Sequence, residues 1–299
     1  MNTLPPLPCY LNGEFTKLSE AKVSVMDRGF VFGDGVYEVA PVYGGRTFRF
    51  EQHMARLGRS LAELRIKNPM TAVQWAQVVK KLIQNYAALS ETKPEDSDQL
   101  IYIQITRGVA MRDHAMPANI EPTVFIMSNG MKPPSAEQRN QGVACVTADD
   151  FRWAKAHIKS TSLLGAVFAR QISADADAME TVMFRNGYLS EAAACNVWVV
   201  KDGKVLGTPK DNLVLEGIRY GLIEDICRKL GLGFELRRIS RAEVLQADEL
   251  LLSSATKEVL PITMLDGQPV GSGQPGPVYA RLYTGYQQAK AKAVGGSSS

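Results

Sequence analysis

A lysine lies where the sequence predicts the end of a strand and the start of a helix. Lys159 follows the apolar Ile158 and precedes a Ser/Thr cluster in the stretch HIKSTSLLG. Because lysine ordinarily keeps its ammonium in water, a stem lying on the surface with a solvated head is the commoner interpretation. The alternative is a partly desolvated amine that forms a Schiff base with a carbonyl compound. Position 159 is therefore a candidate for covalent carbonyl chemistry.

A carboxylate in an apolar setting is the second candidate. Glu191 follows a predicted hairpin strand and precedes three alanines in YLSEAAACNVW. A carboxylate with so little polar material around it needs a partner if it is buried. It is either a solvated turn residue or the partner of a protonated ring nitrogen in a pyridine cofactor.

Three stretches could bind an anion such as a phosphate. Gly217 precedes a predicted helix that begins with Ile218 and Arg219, and a helix N-terminus offers free backbone N–H groups and a positive dipole end. The small-residue stretch SSATKE could add further donors. Arg56, in HMARL, either covers the apolar stripe of its helix with its stem or turns its guanidinium towards the same anion.

A pair of cations follows the strand LIYIQITRG. Arg112 and His114 are two positions apart, so in an extended segment they face the same side. A carboxylate held by both would be well oriented. The alternative is a loop with scattered charge.

Several function classes are disfavoured by what the sequence lacks. No dinucleotide-binding, Walker, serine-hydrolase or zinc-protease motif is present, and neither the four cysteines nor the three histidines have metal-ligand spacing. We therefore expect no metal. A net charge of +3 without a dense basic cluster gives no reason to expect nucleic acid as a partner. With no signal-peptide pattern and no membrane-length apolar run, we expect a cytoplasmic protein that does not enter a membrane.

The elements that must position these residues are indicated by turn signals and periodicity. Four Asn-Gly or Asp-Gly pairs predict hairpins at 12–13, 186–187, 202–203 and 266–267. Strict alternation predicts a strand over 101–106, and apolar stripes predict helices over 50–64, 75–89 and 218–230, the last ended by Gly231. A capping box of Ser240 and Glu243 predicts one more short helix.

The order of these elements predicts an α+β fold, because strands and helices mix without regular βαβ alternation. The polar stretch NGMKPPSAEQRNQG suggests a connection between domains. We expect a smaller N-terminal α+β domain over 1–130, a linker over 131–142, a larger cofactor-binding domain over 143–294 and a disordered tail over 295–299.

Taken together and in this order, seven segments resemble the fold-type IV pyridoxal-phosphate enzymes, and among them most resemble the D-amino-acid aminotransferases. The segments are DRGFVFGDGVYEV, HMARL, TRGVAMRDH, IKSTSLLG, SEAAACNVW, LEGIR and SSATKEVLP. They run from near residue 10 to near 265, so the resemblance covers almost the whole chain.

The resemblance implies a role for each candidate. Lys159 would form the Schiff base with pyridoxal 5'-phosphate and move the α-proton, and Glu191 would pair with the pyridine nitrogen. The other implied cofactor contacts are Arg56, Leu215, Gly217, Ile218, Arg219, Ala255 and Thr256. The implied contacts to the substrate carboxylate are Tyr37, Arg112 and His114.

The implied reaction is transamination of D-amino acids such as D-alanine or D-glutamate with a 2-oxo acid, in a homodimer. Branched-chain L-amino-acid aminotransferase, (R)-amine transaminase and aminodeoxychorismate lyase are the alternatives inside the fold. A binding protein for the cofactor without turnover is the alternative outside catalysis. It is kept because Ala192–Cys195 stand where the D-alanine enzymes are rich in serine.

Overall fold

The computed structural model describes residues 4–295, and within them it contains both helices and strands without regular alternation. The predicted α+β class is therefore confirmed. The strands are β1 (Pro8–Leu11), β2 (Glu14–Lys17), β3 (Gly35–Tyr43), β4 (Arg46–Thr47), β5 (Gln99–Thr106), β6 (Thr123–Gly130), β7 (Val143–Asp149), β8 (Glu180–Arg185), β9 (Tyr188–Ala192), β10 (Asn196–Lys201), β11 (Lys204–Gly207), β12 (Phe234–Leu236), β13 (Glu249–Ser254), β14 (Glu258–Leu265) and β15 (Gln268–Pro269). The α-helices are α1 (Arg28–Phe32), α2 (Phe50–Glu63), α3 (Ala72–Leu89), α4 (Ala136–Gln141), α5 (Leu164–Asp175), α6 (Arg219–Leu230), α7 (Arg241–Leu245) and α8 (Pro277–Gly295).

The chain divides into two compact units. The first comprises residues 4–131 together with Ile158–Leu163 and residues 293–295, and the second comprises Lys132–His157 and Leu164–Lys292. The short segment that carries Lys159 thus belongs to the first unit, although it lies far along the chain from the rest of that unit.

The first unit is an antiparallel sheet in the order β2-β1-β6-β5-β3-β4. The predicted alternation on β5 is confirmed, since Ile101, Ile103 and Ile105 are fully buried. They pack with the apolar stripes of α2 and α3, which include Leu57, Leu61 and Trp75. The core of this unit therefore lies on one face of its sheet.

The second unit is a mixed sheet in the order β12-β11-β10-β13-β14-β7-β8-β9, with β15 beside β14. Its pairs are antiparallel except for β11–β12, β14–β7 and β7–β8. The central strands are buried on both faces, as the fully buried runs on β10 and β14 indicate.

The hairpins predicted from Asn-Gly and Asp-Gly pairs are all present, at β1–β2, β8–β9, β10–β11 and β14–β15. In each turn the Asn or Asp has a positive φ near 50°, and the glycine that follows also has a positive φ. Gly231 ends α6 at φ 63°, and Ser240 and Glu243 form the predicted capping box. These local signals were sufficient because the turn and cap conformations require particular residue types.

The stretch predicted to link two domains contains a helix of its own. Ser135 caps α4 in a capping box with Gln138. Thr263 on β14 donates a hydrogen bond from its Oγ1 to the carbonyl of Gln141, at 2.9 Å. The boundaries 1–130, 131–142 and 143–294 stay a proposal about domain organisation. Of the predicted tail, Gly295 is the last residue of α8 and 296–299 lie outside the described residues.

Residues 4–295 contain neither a membrane-spanning helix nor a cluster of metal ligands. No helix there is long and apolar enough to cross a membrane. No group of three metal-ligating side chains is close enough to hold an ion. The four cysteines are buried and free.

Candidate active site

Lys159 is held against the edge of β3 by backbone hydrogen bonds. The N–H of Tyr37 donates to the carbonyl of Lys159 at 2.9 Å, and the N–H of Thr161 donates to the carbonyl of Gly35 at 2.9 Å. A β-carbon at Gly35 would lie 2.7 Å from the carbonyl oxygen of Ile105, so only glycine permits this close strand packing. The lysine backbone is therefore fixed, as expected for a reactive side chain that must be aimed.

The ammonium of Lys159 lies 4.0 Å from the centroid of the Tyr37 ring. The side chain is half-buried, and within residues 4–295 its Nζ forms no ion pair with an Asp or Glu. A lysine over an aromatic face and away from acids keeps its amine available for a carbonyl partner. Of the predicted substrate contacts, Tyr37 is the one that the structure brings beside Lys159.

Arg56 lies at a buried carboxylate of its own unit. Its Nε donates to Oε1 of Glu38 at 2.7 Å and its Nη2 donates to Oε2 at 2.9 Å. The imidazole of His53 lies 2.9 Å from the same carboxylate. Burial alone would raise the pKa of Glu38, but Arg56 outweighs it and holds that pKa well below its usual range. The geometry fixes the Arg56 side chain, and its role towards a phosphate stays a prediction.

Glu191 is buried in the second unit at the end of β9, and both of its oxygens have partners. Arg152 donates from Nη1 to Oε1 at 2.6 Å. Asn196 donates from Nδ2 to Oε2 at 3.1 Å, and the N–H of Leu215 donates to the same oxygen at 3.3 Å. Burial raises the pKa of the Glu191 carboxyl, and the charge of Arg152 opposes that rise.

Arg152 also binds a second carboxylate. Its Nε donates to Oδ1 of Asp150 at 2.9 Å and its Nη2 donates to Oδ2 at 3.0 Å. Arg185 lies 3.1 Å from the same Asp150 carboxylate. The guanidinium of Arg152 therefore bridges two buried acids. Asp150 orients Arg152, and Arg152 in turn orients Glu191.

The stretch from Leu215 to Arg219 is positioned by Asn196. The Nδ2 of Asn196 donates to the carbonyl of Leu215 at 2.9 Å, and a β-carbon at Gly217 would meet its Oδ1 at 2.0 Å. Glycine is thus required where the chain passes Asn196. Ile218 is the N-cap residue of α6 and no side chain caps that end, so its first N–H groups suit an anion.

Arg219 connects the start of α6 to the loop of Ala255 and Thr256. The buried guanidinium donates from Nη2 to the carbonyl of Ala255 at 3.3 Å and to the hydroxyl of Tyr286 at 3.0 Å. Ala255 and Thr256 are half-buried. The two predicted anion-binding stretches are therefore neighbours in the second unit.

Arg112 and His114 are exposed on an irregular segment of the first unit. Both lie against the ring of Phe32, at 5.5 Å for the Arg112 guanidinium carbon and 5.4 Å for the centroid of the His114 ring. The two side chains therefore lie against the same ring. Their role as substrate contacts stays a prediction.

Sequence reasoning missed the residues that hold the candidates in place: Arg152, Asp150, Asn196, Glu38 and His53. The signal for Arg152 and Asp150 was weak, an acid and a base two positions apart just after a strand. Asn196 stands in the same motif as Glu191, and its polar side chain in an apolar strand could have identified it.

Comparison with known proteins supplies the family. The family model described as amino-transferase class IV matches residues 35–265. A D-alanine aminotransferase of Bacillus licheniformis is 37% identical over 276 residues, which are 92% of this chain and 94% of that protein. A D-alanine aminotransferase of Staphylococcus aureus (strain COL) is 35% identical over 284 residues, 93% of this chain and 96% of that protein.

Solved structures share the fold at lower identity. The branched-chain amino acid aminotransferase of Escherichia coli superposes with a TM-score of 0.84 at 24% identity, covering 94% of this chain and 93% of that one. A fold IV transaminase from Curtobacterium pusillum gives a TM-score of 0.79 at 24% identity, covering 95% and 94%. These likenesses show the fold alone.

The link between Arg152 and Glu191 is testable by stability. We expect Arg152→Leu to lower the free energy of unfolding at pH 7.5 by about 3 to 5 kcal/mol, because it leaves Glu191 buried without a cation and Asp150 with Arg185 alone. Adding Glu191→Gln should restore about 1 kcal/mol or more of that loss. Urea denaturation followed by circular dichroism measures both changes.

The same variant gives a pH signature of known sign. Without Arg152 the burial that raises the pKa of Glu191 loses its main opposing charge and is opposed only by hydrogen bonds such as that from the Leu215 N–H. The folded state then binds a proton that the unfolded state has lost above about pH 4.3. Stability of Arg152→Leu should therefore fall as pH rises above that value, and Glu191→Gln should flatten the slope. Arg228→Leu, at a side chain 73% exposed, is the control and should cost less than about 0.5 kcal/mol. A slope that persists in the double variant would contradict the assignment.

Proposed function

We propose that this chain, which belongs to the class IV aminotransferase family, moves the amino group of D-amino acids of the D-alanine type to a 2-oxo acid acceptor. Pyridoxal 5'-phosphate is its cofactor. The observation that carries the proposal is Lys159, a half-buried residue with a fixed backbone whose amine lies 4.0 Å from the Tyr37 ring and has no acidic partner in residues 4–295. The D-alanine aminotransferases that match more than nine tenths of the chain support the substrate class.

The residues present fit such a cofactor. Lys159 would form the Schiff base with the aldehyde of the cofactor, and the buried carboxylate of Glu191 would face its ring nitrogen. Leu215, two residues before Gly217, would pack on the ring. The N-terminus of α6 at Ile218 and Arg219, the loop of Ala255 and Thr256, and the Arg56 guanidinium would hold the phosphate.

Each side chain has a defined task in the transfer. When bound, the cofactor supplies a conjugated ring that spreads the electron pair left when the substrate loses its α-proton. Lys159 takes that proton from the α-carbon as a general base and would return it, as a general acid, to a carbon of the cofactor. Glu191, oriented by Arg152 and Asn196, would present its carboxylate to the ring nitrogen.

Stereochemistry follows from where the substrate carboxylate is held. Tyr37, Arg112 and His114 are the proposed carboxylate contacts, and an arginine with a histidine supplies charge-assisted donors on one side of the amino acid. With the carboxylate fixed, the D-enantiomer is the one that turns its α-hydrogen to Lys159. The amino donor and the keto acid use the same pocket in turn, so ping-pong kinetics are expected.

The alternatives inside the fold predict different donors. A branched-chain L-amino-acid aminotransferase would use L-leucine, and an (R)-amine transaminase would use (R)-1-phenylethylamine. The solved branched-chain enzymes that superpose on this chain share 22–24% identity and support the fold only. No observation in the described residues favours either substrate over D-alanine.

We also propose a cytoplasmic homodimer. Four cysteines that are all free suit a reducing compartment. On α5 the apolar side chains Leu164, Val167, Phe168 and Ile172 are 69%, 59%, 59% and 38% exposed and share one helical stripe. A second copy presents the same stripe, and a two-fold interface is made of the same patch on both subunits.

The reaction is tested by comparing Lys159→Ala with wild type, using D-alanine as donor and 2-oxoglutarate as acceptor. Pyruvate formation should fall by about 10³-fold or more, because proton transfer at the α-carbon loses its base. Lys155→Ala, four positions earlier and exposed, is the matched control and should keep full activity. Wild-type protein that forms pyruvate no faster than buffer, while it deaminates L-leucine or (R)-1-phenylethylamine, would exclude the D-specific proposal.

The carboxylate contact is tested with Arg112→Ala. Loss of one charged hydrogen-bond donor should raise KM for D-alanine by about 10- to 100-fold. Cofactor affinity measured by equilibrium dialysis should stay the same, since Arg112 is not among the proposed cofactor contacts. An unchanged KM would remove Arg112 from the substrate site.

The dimer is tested with Phe168→Asp on the α5 stripe. A buried charge without a partner at the interface should convert the protein to a monomer, measured by light scattering coupled to size exclusion. Val73→Asp is the control, because Val73 is 65% exposed on α3 and lies outside the stripe. A Phe168→Asp protein that keeps twice the chain mass would place the interface elsewhere.

A further inference from the structure

The segment that carries Arg112 and His114 lies outside the helices and strands and is exposed at 111–115, yet the two side chains can share one carboxylate only if their spacing is fixed. It follows β5 and runs from Arg107 to Ala115. An irregular segment of this kind needs an anchor from the rest of the unit, because ordering it costs conformational entropy. The source of that order lies in the motif DRGF, which the proposed reaction does not use.

The start of the segment is anchored by the backbone of that motif. The N–H of Arg28 donates to the carbonyl of Gly108 at 2.9 Å, and Asp27 forms an isolated β-bridge with Val109. The carboxylate of Asp27 is held in turn, since it accepts from the Thr123 hydroxyl at 2.6 Å. These bonds fix the chain three residues before Arg112.

The middle of the segment is anchored by a side chain. Arg28, which is 3% exposed, donates from Nη1 to the carbonyl of Asp113 at 2.6 Å. Asp113 stands between Arg112 and His114, so this one bond fixes the peptide that joins them. The Asp113 carboxylate forms a turn by accepting from the N–H of Ala115 at 3.0 Å.

Arg28 is itself immobilised by an acid. Its Nε donates to Oδ2 of Asp34 at 2.8 Å. Arg107 donates to the same carboxylate from Nε at 2.7 Å and from Nη2 at 3.0 Å. Burial opposes ionisation of Asp34, but these hydrogen bonds outweigh it and hold its pKa below the ordinary value. The acid therefore stays charged and keeps both arginines in place.

The ring of Phe32 completes the arrangement. It lies 4.7 Å from the guanidinium carbon of Arg28 and 5.5 Å from that of Arg112, and its centroid is 5.4 Å from the ring of His114. An aromatic ring attracts a guanidinium and packs against an imidazole, so Phe32 gives both proposed carboxylate contacts a common support.

We propose that Arg28 is a positioning residue that holds Arg112 and His114 as a pair through the carbonyl of Asp113 and the ring of Phe32. The inference rests on the proposed function only in assigning the substrate carboxylate to that pair. Arg28 does not touch the substrate, because its Nε and Nη1 donate to Asp34 and to the Asp113 carbonyl. It acts through the geometry of these two exposed side chains.

Trypsin gives a measure that does not depend on activity, because it cleaves after Arg112 when that peptide is mobile. Arg28→Lys keeps the charge but loses the fork that reaches Asp34 and Asp113 together. We expect cleavage of the 112–113 bond, followed by mass spectrometry on the native holoenzyme, to become about tenfold faster. KM for D-alanine should rise about tenfold with kcat changed less than about twofold, since binding and not proton transfer is affected.

Two control variants separate the positioning role of Arg28 from a general loss of stability. Arg107→Lys weakens the bond to the same Asp34 but leaves the Asp113 carbonyl with its donor, so cleavage at 112–113 should change less than about twofold. Arg228→Lys, an exposed conservative change, should alter neither cleavage nor KM. Equal acceleration in Arg28→Lys and Arg107→Lys would overturn the proposal.

The outcomes also separate this inference from the proposed function. Wild-type protein that is inactive on D-alanine would end the substrate proposal, while the cleavage rates would still test the positioning role of Arg28. If the wild-type protein is active and Arg28→Lys leaves both the cleavage rate and KM unchanged, the positioning role of Arg28 is overturned and the proposed reaction stands. If Arg28→Lys does not fold, Phe32→Leu removes the shared ring while keeping both arginine–Asp34 pairs. Faster cleavage and a raised KM are expected there, and unchanged values would overturn the proposal.

Discussion

The cost of burying a carboxylate is the constraint on which the rest of this structure depends. An ionised acid removed from water needs a cation and hydrogen bonds around it. Glu38 has Arg56 and His53, Glu191 has Arg152, and the buried Glu258 lies within 3.1 Å of Lys290. Each pair fixes side chains that would otherwise sample many rotamers, so the acids determine where the cations point.

Lys159, Arg112 and His114 differ from these pairs in one respect. Lys159 has an aromatic ring as its neighbour and, within residues 4–295, no acid in an ion pair. Arg112 and His114 are exposed and rest on Phe32. A cation that is held by a ring keeps its charge available for a ligand, whereas Arg152 is occupied by two acids and serves as a support. The same residue types thus divide into reactive groups and supporting groups.

Local sequence signals were sufficient wherever a conformation requires a particular residue type. Asn12-Gly13 and the other such pairs form tight turns because both positions have positive φ. Gly231 ends α6 for the same reason. Amphipathic stripes predicted α2 and α3, since a helix with one apolar side must bury it. The helix inside the segment 131–142 was missed because its capping box is followed by polar residues without a stripe.

The sequence by itself determined the four tight turns, the helices with an apolar stripe, the family through an ordered set of motifs, and the candidates Lys159 and Glu191. Only the tertiary structure decided what surrounds them. Arg152 is 39 positions from Glu191, and Arg28 is 85 from Asp113, so no periodicity along the chain links these partners. Charge pairing acts through space, and the separation that matters to it appears only after the chain has folded.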